Sequence, residues 1–340
     1  MKRGVVMLRA AIIGCGTIAQ VHKEVLLALP EAELVACCDI KKERAKAFAL
    51  SCGIRSYSSM ETMLEQEQLD VVHLCVPHPL HTPLAKLCVG KGIHVFTEKP
   101  PSVDEEQFQD FLKLQDSEQH IGICFQNRYN QSVQKTIELL NSGEAGNIKG
   151  ARAILTWHRD AKYYQESDWR GRWQTEGGGV LINQAIHTLD LLVFLLGKAD
   201  SVQCHMSNHS LQDVIEVEDT LEASIKFTSG VSALFYASNA YCSDAPVLVE
   251  IVCEKAIIRL EGDKLTIEWK DGRRYQIDGT GRKPLGKDYW GNSHYICIQD
   301  FYESIVEDRP YQNDIPSVLD TMQLMFMMYQ SYLRKRIAAK

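Results

Sequence analysis

The hydrophobic and polar positions of this chain follow two different patterns, and the change falls near residue 125. Before it, the sequence has short apolar runs typical of buried strands. These runs lie at 9–13, 34–39, 71–76, 94–97 and 121–125. Stretches with helical spacing separate them, at 41–51, 82–91 and 104–118. Strands that alternate with helices predict an α/β domain, a doubly wound parallel sheet of the Rossmann type, over residues 1–125.

After residue 126 the apolar residues alternate with polar ones, which is typical of strands with one solvated face. A helical stretch at 131–141 comes first. The alternating runs follow at 202–206, 220–227, 231–238, 248–253, 256–260 and 265–269. We therefore predict a second, α+β domain over residues 126–340, built on a large, mostly antiparallel sheet. A final helical pattern at about 315–337 is apolar on one side, and we expect it to pack back between the domains.

The first strand runs into a glycine-rich turn of the form G-x-G-x-x-A, with Gly14, Gly16 and Ala19, followed by a helical pattern. Such a turn lets the backbone approach a pyrophosphate at a helix N-terminus. The second strand ends at Asp39, where an acid accepts hydrogen bonds from the adenine ribose. This spacing predicts NAD as the cofactor. The two lysines at 41 and 42 leave NADP as an alternative.

Length and charge narrow the class of protein. A chain of 340 residues fits two domains, and its net charge of −7 gives no basic stripe for nucleic acid. The longest apolar stretch, at 189–196, is too short to span a bilayer. We expect neither a nucleic-acid nor a membrane partner.

The eleven cysteines form no C-x-x-C pair and lie mostly within apolar runs, which favours reduced thiols in a cytoplasmic protein. One sequence cluster resembles a metal site, namely His73, Cys75, His78 and His81. Strand alternation puts His73 and Cys75 on one face, but two prolines redirect the chain before the other two histidines, so we predict no metal.

Two polar segments are candidates for catalysis. Lys99 follows the fourth predicted strand and precedes two prolines, which fix its position. In the second, three glycines precede a helical pattern that carries Asn183, His187 and Asp190 at i, i+4 and i+7. An amide, an imidazole and a carboxylate on one apolar helix suit acid–base chemistry. The alternatives are a solvated lysine and a core histidine bonded to Asp190.

A third segment interleaves aromatic rings with polar donors, as sugar-binding sites do. We expect substrate contacts from Arg128, Tyr129, His158, Tyr164 and Trp169. The alternative is a structured loop that packs its own aromatic rings.

These motifs occur in one order: G-x-G-x-x-A, V-P-H-x-x-H, Glu98-Lys99-Pro100, and G-G-G before N-x-x-x-H-x-x-D. In this respect the chain resembles the glucose-fructose oxidoreductase / inositol dehydrogenase / MocA family along essentially its whole length. The resemblance implies a Rossmann domain followed by a large, mostly antiparallel sheet, whose outer face makes homodimer or homotetramer contacts.

The resemblance also implies roles for residues. Lys99 becomes the catalytic lysine, His187 the general acid/base, and Asn183 a residue that positions substrate. Many polyol dehydrogenases of the family have aspartate at the position of Asn183, so this chain departs from a simple inositol dehydrogenase. We expect the cofactor to contact Gly14, Gly16, Thr17, Ile18, Asp39, Pro77, His78, His81, Glu98 and Lys99.

The expected activity is hydride transfer between NAD and a secondary hydroxyl of a sugar, glycoside or sugar nucleotide, at C3 by similarity to family members. In it, Lys99 stabilises the alkoxide and His187 moves the proton. One alternative is an NAD-dependent glycosidase that uses transient oxidation and elimination. Another is a non-enzymatic dinucleotide or sugar sensor.

Overall fold

The computed structural model describes residues 7–278 and 293–338, with side chains up to residue 332. These residues form two compact units. The first unit contains 7–126 together with 293–317, and the second contains 127–278 together with 318–338.

The first unit is built on a six-stranded parallel sheet in the order β3-β2-β1-β4-β5-β6. Its strands are β1 (Leu8–Ile13), β2 (Ala32–Cys38), β3 (Arg55–Tyr57), β4 (Val71–Leu74), β5 (His94–Thr97) and β6 (Ile121–Ile123). All residues of β4 and all of β1 except Arg9 are buried, because central parallel strands are covered on both faces. This confirms the predicted Rossmann-type sheet, in which the polar run of β3 escaped detection.

The helices of the first unit connect successive strands, as parallel pairing requires. They are α1 (Thr17–Ala28), α2 (Lys42–Leu50), α3 (Met60–Gln66), α4 (His81–Val89) and α5 (Glu105–Leu112), and a further helix of this unit, α10 (Ser293–Glu307), comes late in the chain and connects no strands of this sheet. Short 3₁₀ turns cover His78–Leu80, Lys113–Asp116 and Gln126–Tyr129.

One segment of the first unit comes from late in the sequence. Helix α10 packs against α1, and the Phe301 and Tyr311 side chains lie against Gly122 of β6. Our prediction assigned all of residues 126–340 to the second domain. The contacts instead place 293–317 with the first unit, because β6 is a short strand whose buried face needs an apolar cover.

The second unit contains an eight-stranded sheet in the order β14-β13-β12-β11-β7-β10-β9-β8. Its strands are β7 (Ile148–Thr156), β8 (Ala199–Ser207), β9 (Thr220–Phe227), β10 (Ser232–Ser238), β11 (Leu248–Cys253), β12 (Ala256–Glu261), β13 (Lys264–Trp269) and β14 (Arg274–Asp278). Among these strands, β7 and β10 pair in parallel and the other neighbours are antiparallel. This confirms the mostly antiparallel sheet, and the alternate burial along β9 explains why its pattern was readable.

The helices of the second unit are α6 (Gln131–Ser142), α7 (Ala161–Gln165), α8 (Trp173–Glu176) and α9 (Ile186–Leu196). The last helix, α11 (Ile315–Ala338), begins in the first unit and continues in the second. In the described residues, one helical run, Trp173–Leu196, is long and apolar enough to cross a membrane. Because 83% of its most apolar window is buried, it has the character of a core helix.

Substitution of Gly122 tests the packing of the late segment on β6. A Cβ at this position would lie 2.7 Å from the Phe301 ring and 2.8 Å from the Tyr311 ring. We expect Gly122→Ala to lower the free energy of unfolding by about 1–3 kcal/mol, because the rings must shift. Gly150→Ala in β7 is the control, since a Cβ there would lie 3.6 Å from its nearest neighbour, the Ser232 carbonyl oxygen. Equal effects of both changes in urea denaturation would contradict this packing.

Candidate active site

The turn after β1 has the geometry that a dinucleotide requires. Gly14 has φ +88°, and a Cβ there would lie 2.3 Å from the Cys75 carbonyl oxygen, so no side chain fits. A Cβ on Gly16 would meet nothing within 4 Å, which leaves open space beside the backbone. Helix α1 begins at Thr17, and no side chain caps its N-terminus. The turn, with Thr17 and Ile18 in the first helical turn, therefore fits the pyrophosphate of NAD.

Asp39 lies directly after β2, as the fingerprint predicts. Its carboxylate accepts the N–H of Cys15 at 2.9 Å and the N–H of Lys41 at 2.8 Å. The Arg44 guanidinium approaches the same carboxylate at 3.4 Å. The acid is thus held against the glycine turn, at the position where a ribose hydroxyl would meet it. The sequence reasoning missed Arg44. Its guanidinium lies beside the Asp39 carboxylate, the group that would repel the 2′-phosphate of NADP.

The loops after β4 and β5 are bonded to each other through His81. Its Nδ1 lies 2.6 Å from the Pro100 carbonyl oxygen and its Nε2 lies 2.9 Å from that of Val76. The imidazole therefore joins the two loops. We expected His81 to contact the cofactor, but both of its ring nitrogens lie within hydrogen-bond distance of backbone carbonyl oxygens. Pro77 is half-buried and His78 is buried, at the start of the 3₁₀ turn between these loops.

Lys99 is half-buried and comes two residues after β5, next to a buried carboxylate network. Glu98 lies 3.1 Å from His22 Nε2, and the Nδ1 atoms of His22 and His73 are 2.9 Å apart. His73 Nε2 in turn lies 3.0 Å from the Tyr302 hydroxyl. A single set of tautomers satisfies this chain, with every donor pointing toward Glu98. The network fixes the backbone from which Lys99 projects.

Burial opposes the ionisation of Glu98, but the hydrogen bond from His22 and the charge of Lys99 outweigh it, so the pKa of Glu98 falls well below its usual range. Burial also lowers the pKa of His73. The result is a charged carboxylate beside a lysine, within hydrogen-bond distance of the His22 imidazole.

Metal-ligand atoms meet at one point of the described chain. The donor atoms of His22, Glu98 and Cys124 lie within 4.8 Å of one another. Both ring nitrogens of His22 are already in hydrogen bonds with His73 and Glu98. The group is therefore explained by hydrogen bonding within the core.

In the second unit, Asn183 lies in a π-helical turn, Leu181–Ala185, directly before α9. Its amide Nδ2 donates to Glu176 Oε1 at 2.5 Å. His187 is half-buried in the first turn of α9. A π turn has more residues per turn than an α-helix, so it changes the direction of Asn183 relative to the residues that follow.

The sequence spacing suggested that Asp190 would bond His187, but the Asp190 carboxylate binds other groups. The Arg128 guanidinium binds it through Nε at 2.8 Å and Nη2 at 2.5 Å, and the Thr321 hydroxyl donates at 2.8 Å. Arg128, which we expected to contact substrate, is 1% exposed and stacks on Phe194. A buried guanidinium requires such a partner, so the pair is part of the core.

In the polar and aromatic segment, Tyr164 is bonded to a side chain from outside the segment. The Tyr164 hydroxyl and the Gln184 side-chain oxygen both accept hydrogen bonds from the Asn239 amide, at 3.1 and 2.9 Å. Tyr164 and Tyr129 are buried, in contrast to the expected sugar contacts. Half-buried Trp169 lies against Arg170.

His158 belongs to a different place on the second unit. Its Nδ1 lies 2.7 Å from the Tyr241 carbonyl oxygen, and the residue lines a surface cavity of about 440 Å³. Neither Asn183 nor His187 lines that cavity. The structure thus brings Asn183 together with Glu176, and places His158 apart from them.

Two buried carboxyls near Asn183 escaped the sequence reasoning. Glu176 is bonded to Asn183, and Glu218 accepts the N–H groups of Gly179 and Leu181 at 3.0 and 3.1 Å. Glu176 stands next to the glycine triplet, and that position was the available signal. Glu218 is distant in sequence and gave none.

Comparison with known proteins assigns both halves of the chain to one family. A profile described as "Oxidoreductase family, NAD-binding Rossmann fold" matches residues 8–125, and a "GFO/IDH/MocA C-terminal domain" matches residues 133–259. The chain therefore belongs to the Gfo/Idh/MocA family. It is an NAD-binding oxidoreductase of the dehydrogenase class.

Named relatives cover most of the chain. It is 29% identical over 249 residues to D-glucoside 3-dehydrogenase of Escherichia coli. The aligned region covers 66% of this chain and 68% of that protein. This chain is 28% identical over 283 residues to D-apiose dehydrogenase of Paraburkholderia graminis, spanning 78% and 71%. The solved WlbA dehydrogenase from Bordetella pertussis, in complex with NADH and UDP-GlcNAcA, has a TM-score of 0.83 at 26% identity, covering 96% of each chain.

Replacement of Asp39 tests cofactor choice. We expect Asp39→Asn to weaken NADH binding and improve NADPH binding, changing the ratio of the two dissociation constants at least about tenfold, because a charge that repels the 2′-phosphate is lost. The amide still accepts one backbone N–H, so the turn keeps a partner. Glu33→Gln on the same strand, an exposed position, is the control. Fluorescence titrations with an unchanged ratio would exclude Asp39 from cofactor recognition.

Replacement of Asp190 tests whether its pair with Arg128 belongs to the core. We expect Asp190→Ala to lower the free energy of unfolding by about 3–5 kcal/mol, because it leaves a buried guanidinium without its carboxylate. Glu138→Ala, which removes an exposed pair with Lys135, is the matched control and should leave the urea midpoint almost unchanged. Similar midpoints for the two variants would contradict the assignment.

Proposed function

We propose that this protein is an NAD-dependent dehydrogenase that oxidises a secondary hydroxyl on the ring of a sugar, glycoside or sugar nucleotide, at C3. The observation that carries the proposal is that both halves of the chain match one family of NAD-binding oxidoreductases. Lys99 comes from the first unit, and Asn183 and His187 come from the second.

The relatives support the class of substrate. The E. coli protein is named for oxidation at position 3 of a D-glucoside, and the Bordetella structure contains a UDP-sugar with NADH. Asn183, in place of the aspartate of many polyol dehydrogenases, agrees with a glycoside or sugar nucleotide rather than a free inositol.

The protein's residues divide the proton and charge transfers among them. Neutral His187 accepts the hydroxyl proton, and the Lys99 ammonium donates to the oxygen as negative charge develops on it. Asn183 orients the hydroxyl through its amide, and Trp169 offers a ring for the sugar face. Glu98, held by His22, keeps the lysine loop in place. NAD, when bound, supplies the hydride acceptor.

We further propose a homodimer or homotetramer formed through the sheet of the second unit. On β10, Leu234 is 64% exposed and Tyr236 lies on the same side of the strand. Apolar side chains on the open side of a large sheet favour contact with another subunit. A cytoplasmic location agrees with eleven cysteines that form no disulfide with one another.

Substitution of Lys99 tests the proposed chemistry. Lys99→Met should lower kcat for NADH formation about 10²–10³-fold, because it removes a cation that stabilises the alkoxide. NADH binding, followed by fluorescence, should persist. Lys91→Met, an exposed lysine of the same unit, is the control and should keep the full rate.

The substrate panel for this test contains methyl D-glucosides, UDP-N-acetylglucosamine, glucose and myo-inositol. Sugar release without NADH accumulation would identify a glycosidase instead. Silence with every member, together with retained NADH binding, would favour a sensor. An unchanged rate in Lys99→Met would remove this lysine from the mechanism.

A further inference from the structure

The carboxyl group of Glu176 is held from two sides next to Asn183. Glu176 ends α8 and is 1% exposed. Its Oε1 accepts from Asn183 Nδ2 at 2.5 Å, and its Oε2 accepts the N–H of Gly171, also at 2.5 Å. Both bonds lie within the second unit and involve groups that are fixed by secondary structure or a tight turn.

We propose that Glu176 is a positioning residue of the acid–base site: it fixes the orientation of the Asn183 amide and supplies the negative charge that an aspartate at position 183 would bring. This inference rests on the proposed function, because it gives Glu176 a role in the same reaction. Glu176 acts through Asn183 and needs no contact with the substrate.

The argument begins with the two ends of the amide. When Glu176 is ionised it can only accept hydrogen bonds, so Asn183 must turn its NH₂ toward it. The amide oxygen is then the end that accepts a hydrogen bond from a sugar hydroxyl. When Glu176 is protonated it can donate to the amide oxygen, and the opposite orientation becomes available. The protonation of Glu176 therefore decides whether Asn183 accepts from the substrate or donates to it.

Several charged or titratable groups act on Glu176 from the surrounding elements. They are Arg170, Glu218, Tyr163 and Tyr164 of α7, and Tyr329 of α11. Burial raises the pKa of Glu176 to about 7, while the Gly171 N–H, Asn183 and Arg170 oppose the rise. An unfolded glutamate titrates near 4.3. The protonated form thus stabilises the fold at low pH, and this contribution is lost as the pH rises through about 7.

Glu218 provides an internal comparison. Burial raises its pKa to about 7 as well. Its carboxylate, however, accepts from the backbone of Gly179 and Leu181 and from the Tyr329 hydroxyl at 3.0 Å. The two carboxyls share burial and titration range, but Glu176 alone of this pair bonds the Asn183 side chain.

The experiment compares Glu176→Gln with Glu218→Gln in the holoenzyme, using whichever substrate of the panel gives the highest rate. The acid limb of log(kcat/KM) against pH should be steeper than one proton in the wild type, because His187 and Glu176 both lose a proton. Glu176→Gln should reduce this limb to one proton and lower kcat/KM about tenfold at pH 8. Glu218→Gln should keep the steep limb. A steep limb in Glu176→Gln would overturn the proposal.

Moving the carboxylate provides the rescue. In the Glu176→Gln background, Asn183→Asp should restore most of the lost kcat/KM, because the side chain at position 183 then carries the negative charge itself. In the wild-type background, Asn183→Asp should shift the acid limb upward by at least about one pH unit, since two carboxyls in hydrogen-bond distance resist joint ionisation. The Asn183→Asp single variant tests the proposal even if Glu176→Gln does not fold. No rescue by the double variant when it folds, or no shift in the single one, would contradict the proposal.

A readout without substrate separates this inference from the proposed function. The side-chain ¹⁵N–¹H signals of Asn183, assigned by their loss in Asn183→Asp, should shift between about pH 6 and pH 8 in the wild type and in Glu218→Gln. They should not shift in Glu176→Gln. Absent activity with correct NMR behaviour would sink the proposed function alone, whereas activity with pH-independent signals in the wild type would sink only the role of Glu176.

Discussion

The part of the proposed acid–base set that comes from the second unit depends on how one glycine segment is held. A Cβ on Gly179 would lie 1.9 Å from the Glu218 carbonyl oxygen, so the backbone passes where no side chain fits. The Glu218 carboxylate then takes the N–H groups of Gly179 and Leu181, and Tyr329 completes its bonds. This fixed entry leads directly into the π turn, from which Asn183 and then His187 project.

The same physical arrangement recurs in the first unit, where Lys99 follows a buried carboxylate. Glu98 is supported by His22 and, behind it, by His73. In both units, a residue of the proposed chemistry lies close in the chain to a segment that a buried, hydrogen-bonded carboxyl holds. These hydrogen bonds restrict the movement of the local backbone. Holding a reacting group in the correct geometry lowers the barrier of the reaction, because the group loses less freedom when the transition state forms.

Much of the fold was readable because its patterns are local. Strands β9 and β11 were predicted with their observed bounds, since β9 alternates over its whole length and β11 is apolar except at Glu250. The polar strand β3 and the outer strand β14 carry no such pattern and were missed. Helix α10 was missed too, and with it the return of the chain to the first unit, because that return depends on long-range packing against Gly122.

The sequence by itself determined the glycine turn, Asp39, and the identity of the candidate catalytic residues, because the spacing of such motifs reflects constraints within a few residues. Only the tertiary structure decided the partners of the charged side chains. In the folded chain, Asp190 binds Arg128 rather than His187, and Glu176 accepts a hydrogen bond from Asn183. A buried charge is stabilised by whichever groups the fold brings within about 3 Å, and linear spacing does not specify those groups across a π turn or between distant segments.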